Sequence, residues 1–140
     1  DKTGNRRPTD NLYGDDQRFI SFGTFVGGYA LRPLLSNIHI FRGGLTLSPF
    51  SYSESIILKR LNISAKYSYY IKDKPEGYIN YGEATLANRE IGQGVDASIR
   101  WKIFYDLSLF FNYAVFIPGK AFDSSENNRQ FLMGGFNLSF

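Results

Sequence analysis

Chemistry in this chain would have to start from very few residues. His39 is the single histidine of 140 residues, and there is no cysteine. A nucleophile relayed through His39 would need a serine on a Gly-x-Ser-x-Gly elbow, and no such elbow occurs. A transition-metal site would need a second imidazole or a thiolate beside it. Asp15-Asp16 and the pair Asp123 and Glu126 offer carboxylates to calcium, but without the spacing of a calcium loop they read as solvated loop acids. The sequence therefore points to no enzyme activity, no cofactor and no metal. What remains is a set of charges on alternating segments: Arg42, Lys66, Lys72, Arg100 and Lys102, with Asp96 as the one acid among them. Basic side chains gathered on one wall raise the local concentration of anions. The rival reading pairs them with acids on other strands.

The elements that carry these residues alternate in polarity. Leu61 to Lys72 places Leu61, Ile63, Ala65, Tyr67, Tyr69 and Ile71 on one side, and Asn62, Ser64, Lys66, Ser68, Tyr70 and Lys72 on the other. Val95 to Tyr105, Leu107 to Ile117, Gln130 to Phe140 and Asn37 to Ser48 repeat the alternation. A period of two means strands, because a helix would scatter each apolar set around its axis. Only Ser53 to Arg60 offers a helix, and a short one. Residues 1–17 read as a loop rich in turn formers, and Arg18 to Leu31, rich in Phe and Gly, as a further candidate strand or an ordered loop hairpin. Residues 73–93 and 118–129 are long polar connections, whereas Tyr105-Asp106 is a tight turn.

The net charge of +3 is spread along the chain, with no run of five like charges, so no nucleic-acid partner is signalled. No apolar stretch reaches the roughly 18 residues of a spanning helix, which leaves open a barrel that crosses with strands. Three features favour such a barrel over a soluble sandwich. The strands are long for a soluble sheet. Aromatic residues fall near strand ends on the apolar side: Tyr67, Tyr69, Trp101, Tyr105, Tyr113, Phe136 and Phe140. Short turns and long loops segregate to opposite rims. On this reading Pro49 to Arg60 and Tyr105-Asp106 lie at the periplasmic rim, and the long loops lie outside the cell.

The stretch IGQGVDASIRWKIFYDLSLFFNYAVFIPGKAF resembles the C-terminal strands of alginate-export-like outer-membrane porins. The matching positions are Gly92, Val95, Asp96, Tyr113, Phe116, Pro118, Gly119, Ala121 and Phe122. LLSNIHIFRGGLTLSP, ending at Pro49, is similar to another strand of that family, and DNLYG and NYGEA to its loops. The resemblance implies an all-β fold: the C-terminal part of a transmembrane antiparallel barrel of about 16–18 strands. Residues 1–36 would supply a loop and one candidate strand, and residues 37–140 five clear strands. It implies an outer-membrane location in a Gram-negative-type bacterium. The expected function is a porin or channel for small or anionic solutes, with Arg42, Lys66, Lys72, Asp96, Arg100 and Lys102 lining the pore. The expected partners are outer-membrane lipid, the remaining strands of the barrel or partner chains, and the barrel assembly machinery, which would read Phe136, Leu138 and Phe140. The alternatives are a plugged barrel that anchors a periplasmic or surface partner, and a small barrel with lipid-modifying or adhesin activity.

Overall fold

The computed structural model describes residues 27–31, 37–77, 79 and 83–139. Five strands form one sheet: β1 (Ile38–Leu47), β2 (Leu61–Lys72), β3 (Glu90–Lys102), β4 (Leu107–Pro118) and β5 (Arg129–Leu138). They pair in chain order, each antiparallel to the next. A single helical turn, α1 (Ile56–Lys59), lies in the connection from β1 to β2, inside the stretch that the sequence marks as its one helix candidate. The fold is all-β. The residues 1–17 loop and most of the Arg18 to Leu31 strand lie outside the described residues, and the end of that stretch, Tyr29–Leu31, forms a turn.

The sheet holds its alternation in phase across all four ladders. Lys66 faces Gly44 on one side and Asp96 on the other, and Asp96 faces Ala114, which faces Phe131. Thr46, Ser64, Ser98, Asn112 and Met133 form the next row on that face. On the opposite face, Leu45, Ala65, Ala97, Tyr113 and Leu132 form one row, and Leu47, Ile63, Ile99, Phe111 and Gly134 another. One face is therefore predominantly polar, the other predominantly apolar. The Ser64 and Ser98 hydroxyls hydrogen-bond each other at 2.6 Å across the polar face.

Among the described residues the apolar face carries no buried residue, whereas the polar face is buried at one end. Leu132 is 65% exposed and Phe136 68%, and Leu45, Ile63, Tyr67, Val95, Ile99, Phe111 and Ile117 are exposed as well. The buried core lies at one end of the other face. There Tyr70 and Phe116, which share parity with the serines and lysines, pack with Leu31, Ile79, Ala84, Ile91, Ala121 and Phe122. The Phe116 ring meets Tyr70 and Phe122 edge-on, with centroids 6.0 and 5.7 Å away. The two long connections, residues 73–89 and 119–128, thus fold inward over the end of the sheet nearest them. Leu86 N–H donates to the Ala121 carbonyl at 3.0 Å and joins the two.

Three details differ from the sequence reading. β3 starts at Glu90 and stops at Lys102, because the Ile103 and Phe104 amides both turn to the Leu107 carbonyl and close a wider turn than Tyr105-Asp106 alone. Tyr67 sits in mid-sheet between Gly43 and Val95, and Tyr113 between Ala97 and Leu132, both away from the strand ends. The long connections are also less polar in their packing than in composition, since they bury Ile79, Ala84, Ala121 and Phe122.

Gly92 sets the start of β3. Its φ of 140° suits glycine alone, and an added Cβ would strike the Ile117 carbonyl oxygen. The β2–β3 register shifts beside it, between Tyr70 and Ile71. Gly92→Ala is expected to destabilise the fold by about 1–3 kcal/mol, read from the midpoint of an equilibrium refolding titration.

Candidate functional site

The polar face changes character along its length. Toward the long connections Ser68, Tyr70, Lys72, Asp96, Asn112, Ala114 and Phe116 are buried. Toward α1 the face opens, and Asn62, Lys66, Arg100 and Lys102 are exposed. Each strand contributes to both halves, because alternate residues of one strand point the same way while the covering loops reach only part of its length.

A short segment crosses the face between the two halves. The Gly27 carbonyl accepts the Tyr70 hydroxyl at 2.7 Å and also a guanidinium N–H of Arg42. Arg42 donates a second N–H to the Ser68 hydroxyl at 3.0 Å. The Tyr29 amide donates to the Asp96 carboxylate at 3.1 Å. The Tyr29 ring stacks on Phe131, with centroids 5.6 Å apart and planes 6° from parallel. Gly28 passes so close to the sheet that an added Cβ would lie 2.5 Å from the Tyr70 hydroxyl. Residues 27–31 are thus strapped to β1, β2, β3 and β5. Sequence periodicity gives no signal for this strap, because the residues that hold it alternate like any strand residues.

Beside the strap, Asn62, Ser64, Lys66, Asp96, Ser98 and Arg100 line a concavity of about 320 Å³. An adjoining one of about 440 Å³ shares Tyr29, Asn62 and Arg100 and adds Lys102. Lys66, Arg100 and Lys102 have no acid within ion-pair distance among the described residues. The structure therefore brings these three together on one open wall. Arg42 and Asp96 lie on the same face but hold the strap. Lys72 is set apart: it is 1% exposed, and its ammonium donates to the Pro75 and Leu86 carbonyls at 3.0 and 2.8 Å beneath the 73–89 connection. Phe136 and Leu138 lie exposed at the end of β5, and Phe140 lies outside the described residues.

The remaining candidates have local partners. His39 lies 3.2 Å from Asp73 at the surface. The Asp123 carboxylate accepts the Ser125 amide at 3.1 Å, and bonds of this kind hold its pKa below the usual carboxylate range. Glu126 lies 3.6 Å from Arg129, which also pairs with Glu83 at 2.7 Å. Asp15 and Asp16 lie outside the described residues. Among the described residues no three acids or histidines gather as a metal site, and no helix is long and apolar enough to cross a membrane, which says nothing of crossing by strands.

No protein-family model, curated protein or solved structure matches the chain. The porin resemblance consequently enters below as part of a proposal.

The strap's hold on Asp96 is directly measurable. Asp96→Ala removes the acceptor of the Tyr29 amide, a bond to a charged group of about 1.5–3 kcal/mol. Hydrogen exchange at Tyr29 should accelerate by about tenfold or more, while exchange along the β3–β4 ladder stays within about threefold of the parent.

Proposed function

We propose that this chain forms five adjacent wall strands of an outer-membrane β-barrel channel of the Gram-negative type, part of a larger barrel. Small or anionic solutes would diffuse along its polar face. The observation that carries the reading is the polarity of the sheet: a broad apolar face is exposed over its full width, while the polar face is covered at one end by loops and a strap and open at the other. Water-exposed sheets place these faces the other way round. β2, with 12 residues at about 3.3 Å each, is about 40 Å long, enough to cross a membrane at the usual barrel tilt. The apolar face carries Trp101 and Phe136 in a row near one end and Phe41 and Tyr69 in a row near the other, which suits two interfacial girdles. Outer-membrane lipid and further barrel strands are the partners this reading requires. No catalytic step is assigned.

Conductance of the complete protein in a planar bilayer tests the proposal, and channel steps are the expected result. Replacing Lys66, Arg100 and Lys102 together by Glu should move the reversal potential in a salt gradient toward cation preference. An unchanged reversal potential would mean that ions pass elsewhere or that other strands neutralise these groups.

The strap and the inward loops favour a second reading, a plugged barrel that anchors another protein. A folded, inserted protein without conductance would support it over the channel.

The two faces also separate by mutation. Leu132→Arg places a charge in the middle row of the apolar face and should cost about 2–4 kcal/mol in lipid. Thr46→Arg, on the polar face, should cost far less. Refolding titrations in vesicles compare them, and equal costs would overturn the lipid-facing assignment.

A further inference from the structure

We propose that the β1–β2 connection, residues 48–60, is a lipid anchor seated in the headgroup layer at its rim. The proposal rests on the reading that the apolar face meets lipid. It gives a partner to a segment which that reading alone leaves in water.

The segment is apolar where a water-facing turn would not be. Phe50, Tyr52, Ile56, Ile57 and Leu58 are all exposed, Tyr52 at 99% and Ile56 at 63%. Such an exposed group marks a surface that meets something other than water. Its position says what. Trp101, on the apolar face of β3, donates its indole N–H to the Ile57 carbonyl at 2.9 Å, so α1 lies against the lower end of that face. The Lys102 amide reaches the Arg60 carbonyl at 3.5 Å and extends the ladder toward α1. The apolar surface of the turn is therefore continuous with that of the strands, and the occupant that covers one extends over the other.

Two further features suit a headgroup layer. Part of the backbone is bonded within the segment: the Ser51 amide to the Ser48 carbonyl at 3.1 Å, Ser53 to Phe50 at 3.0 Å and Lys59 to Ser55 at 3.1 Å. Internal bonding lowers the penalty of leaving water. Two cations, Lys59 and Arg60, also stand next to the aromatics of this rim, with Glu54 and Asp106 as its acids. The Arg60 guanidinium lies 4.7 Å from the centre of the Tyr105 ring, and Lys59 has no ion-pair partner among the described residues. Aromatic rings at headgroup depth with cations reaching phosphate are the usual composition of an interfacial anchor.

These 140 residues hold no cysteine, so none of them competes with a single introduced label. Ile56→Cys, Tyr52→Cys and Leu132→Cys would each carry an environment-sensitive dye. The vesicles would contain phosphatidylethanolamine and phosphatidylglycerol, with lipids brominated either near the carbonyl end or near the chain end. The Ile56 and Tyr52 labels should be quenched about twofold more by the shallow bromines than by the deep ones, and the Leu132 label more by the deep ones. If Leu132 is quenched while Ile56 and Tyr52 respond only to aqueous iodide, the anchor is overturned and the barrel reading stands. If the Ile56 label is shielded from iodide yet untouched by either bromolipid, a protein surface or a second copy covers the turn, and the lipid assignment is overturned. If Leu132 is not quenched, the barrel reading fails and the anchor fails with it.

Discussion

Register is the constraint on which the rest of this structure depends. Side chains alternate faces with a period of two, so a slip of one residue in any ladder would carry a strand's lysines and serines to the apolar side. The pairings Gly44–Lys66, Lys66–Asp96 and Asp96–Ala114 belong to one row, and Leu45–Ala65–Ala97–Tyr113 to the row behind it. With both rows in phase, the faces differ in polarity over the full width of the sheet. The one irregularity, between Tyr70 and Ile71, lies at the end of β2, where the polar face is already closing under the loops.

That phase also divides the polar face in two. Near the long connections, Tyr70 and Phe116 occupy positions that elsewhere carry serine or lysine, and they seed a small apolar core on an otherwise polar surface. Nearer α1 the same parity delivers Lys66, Arg100 and Lys102 to open space. The strap at Gly27–Leu31 marks the border, with the Gly27 carbonyl taken by Tyr70 and Arg42. Asp96, the acid nearest the basic group, is occupied by the Tyr29 amide. The positive potential of the open half thus meets a carboxylate already engaged in holding backbone.

The strands are legible in the sequence because alternation is a local signal. Leu61 to Lys72 matches β2 residue for residue, and the other strands differ mainly at their ends. The packing of the loops is not legible, because Ile79, Ala84 and Phe122 are scattered among polar neighbours and their partners lie far away in sequence. Tyr70 and Phe116 are a partial signal, two large rings on the polar parity near the same end. Lys72 shows the limit of parity for the site. Its position on the polar face follows from the alternation, but its enclosure by the Pro75 and Leu86 carbonyls depends on where the following connection folds. The strap leaves no trace in the pattern at all, since its amide and carbonyl groups exist in every residue.

The strictly sequential order of β1 to β5 bears on how such a wall can change over evolutionary time. Each strand hydrogen-bonds only to its neighbours in the chain, so for the ladders the hairpin is the unit of construction. Duplicating or deleting one would alter the width of the sheet by roughly 10 Å. It would leave every other ladder intact and preserve the polar and apolar faces, because two strands restore the original direction. A sheet built in this order can therefore be widened or narrowed in discrete steps by gene-segment duplication while its remaining ladders keep their pairings.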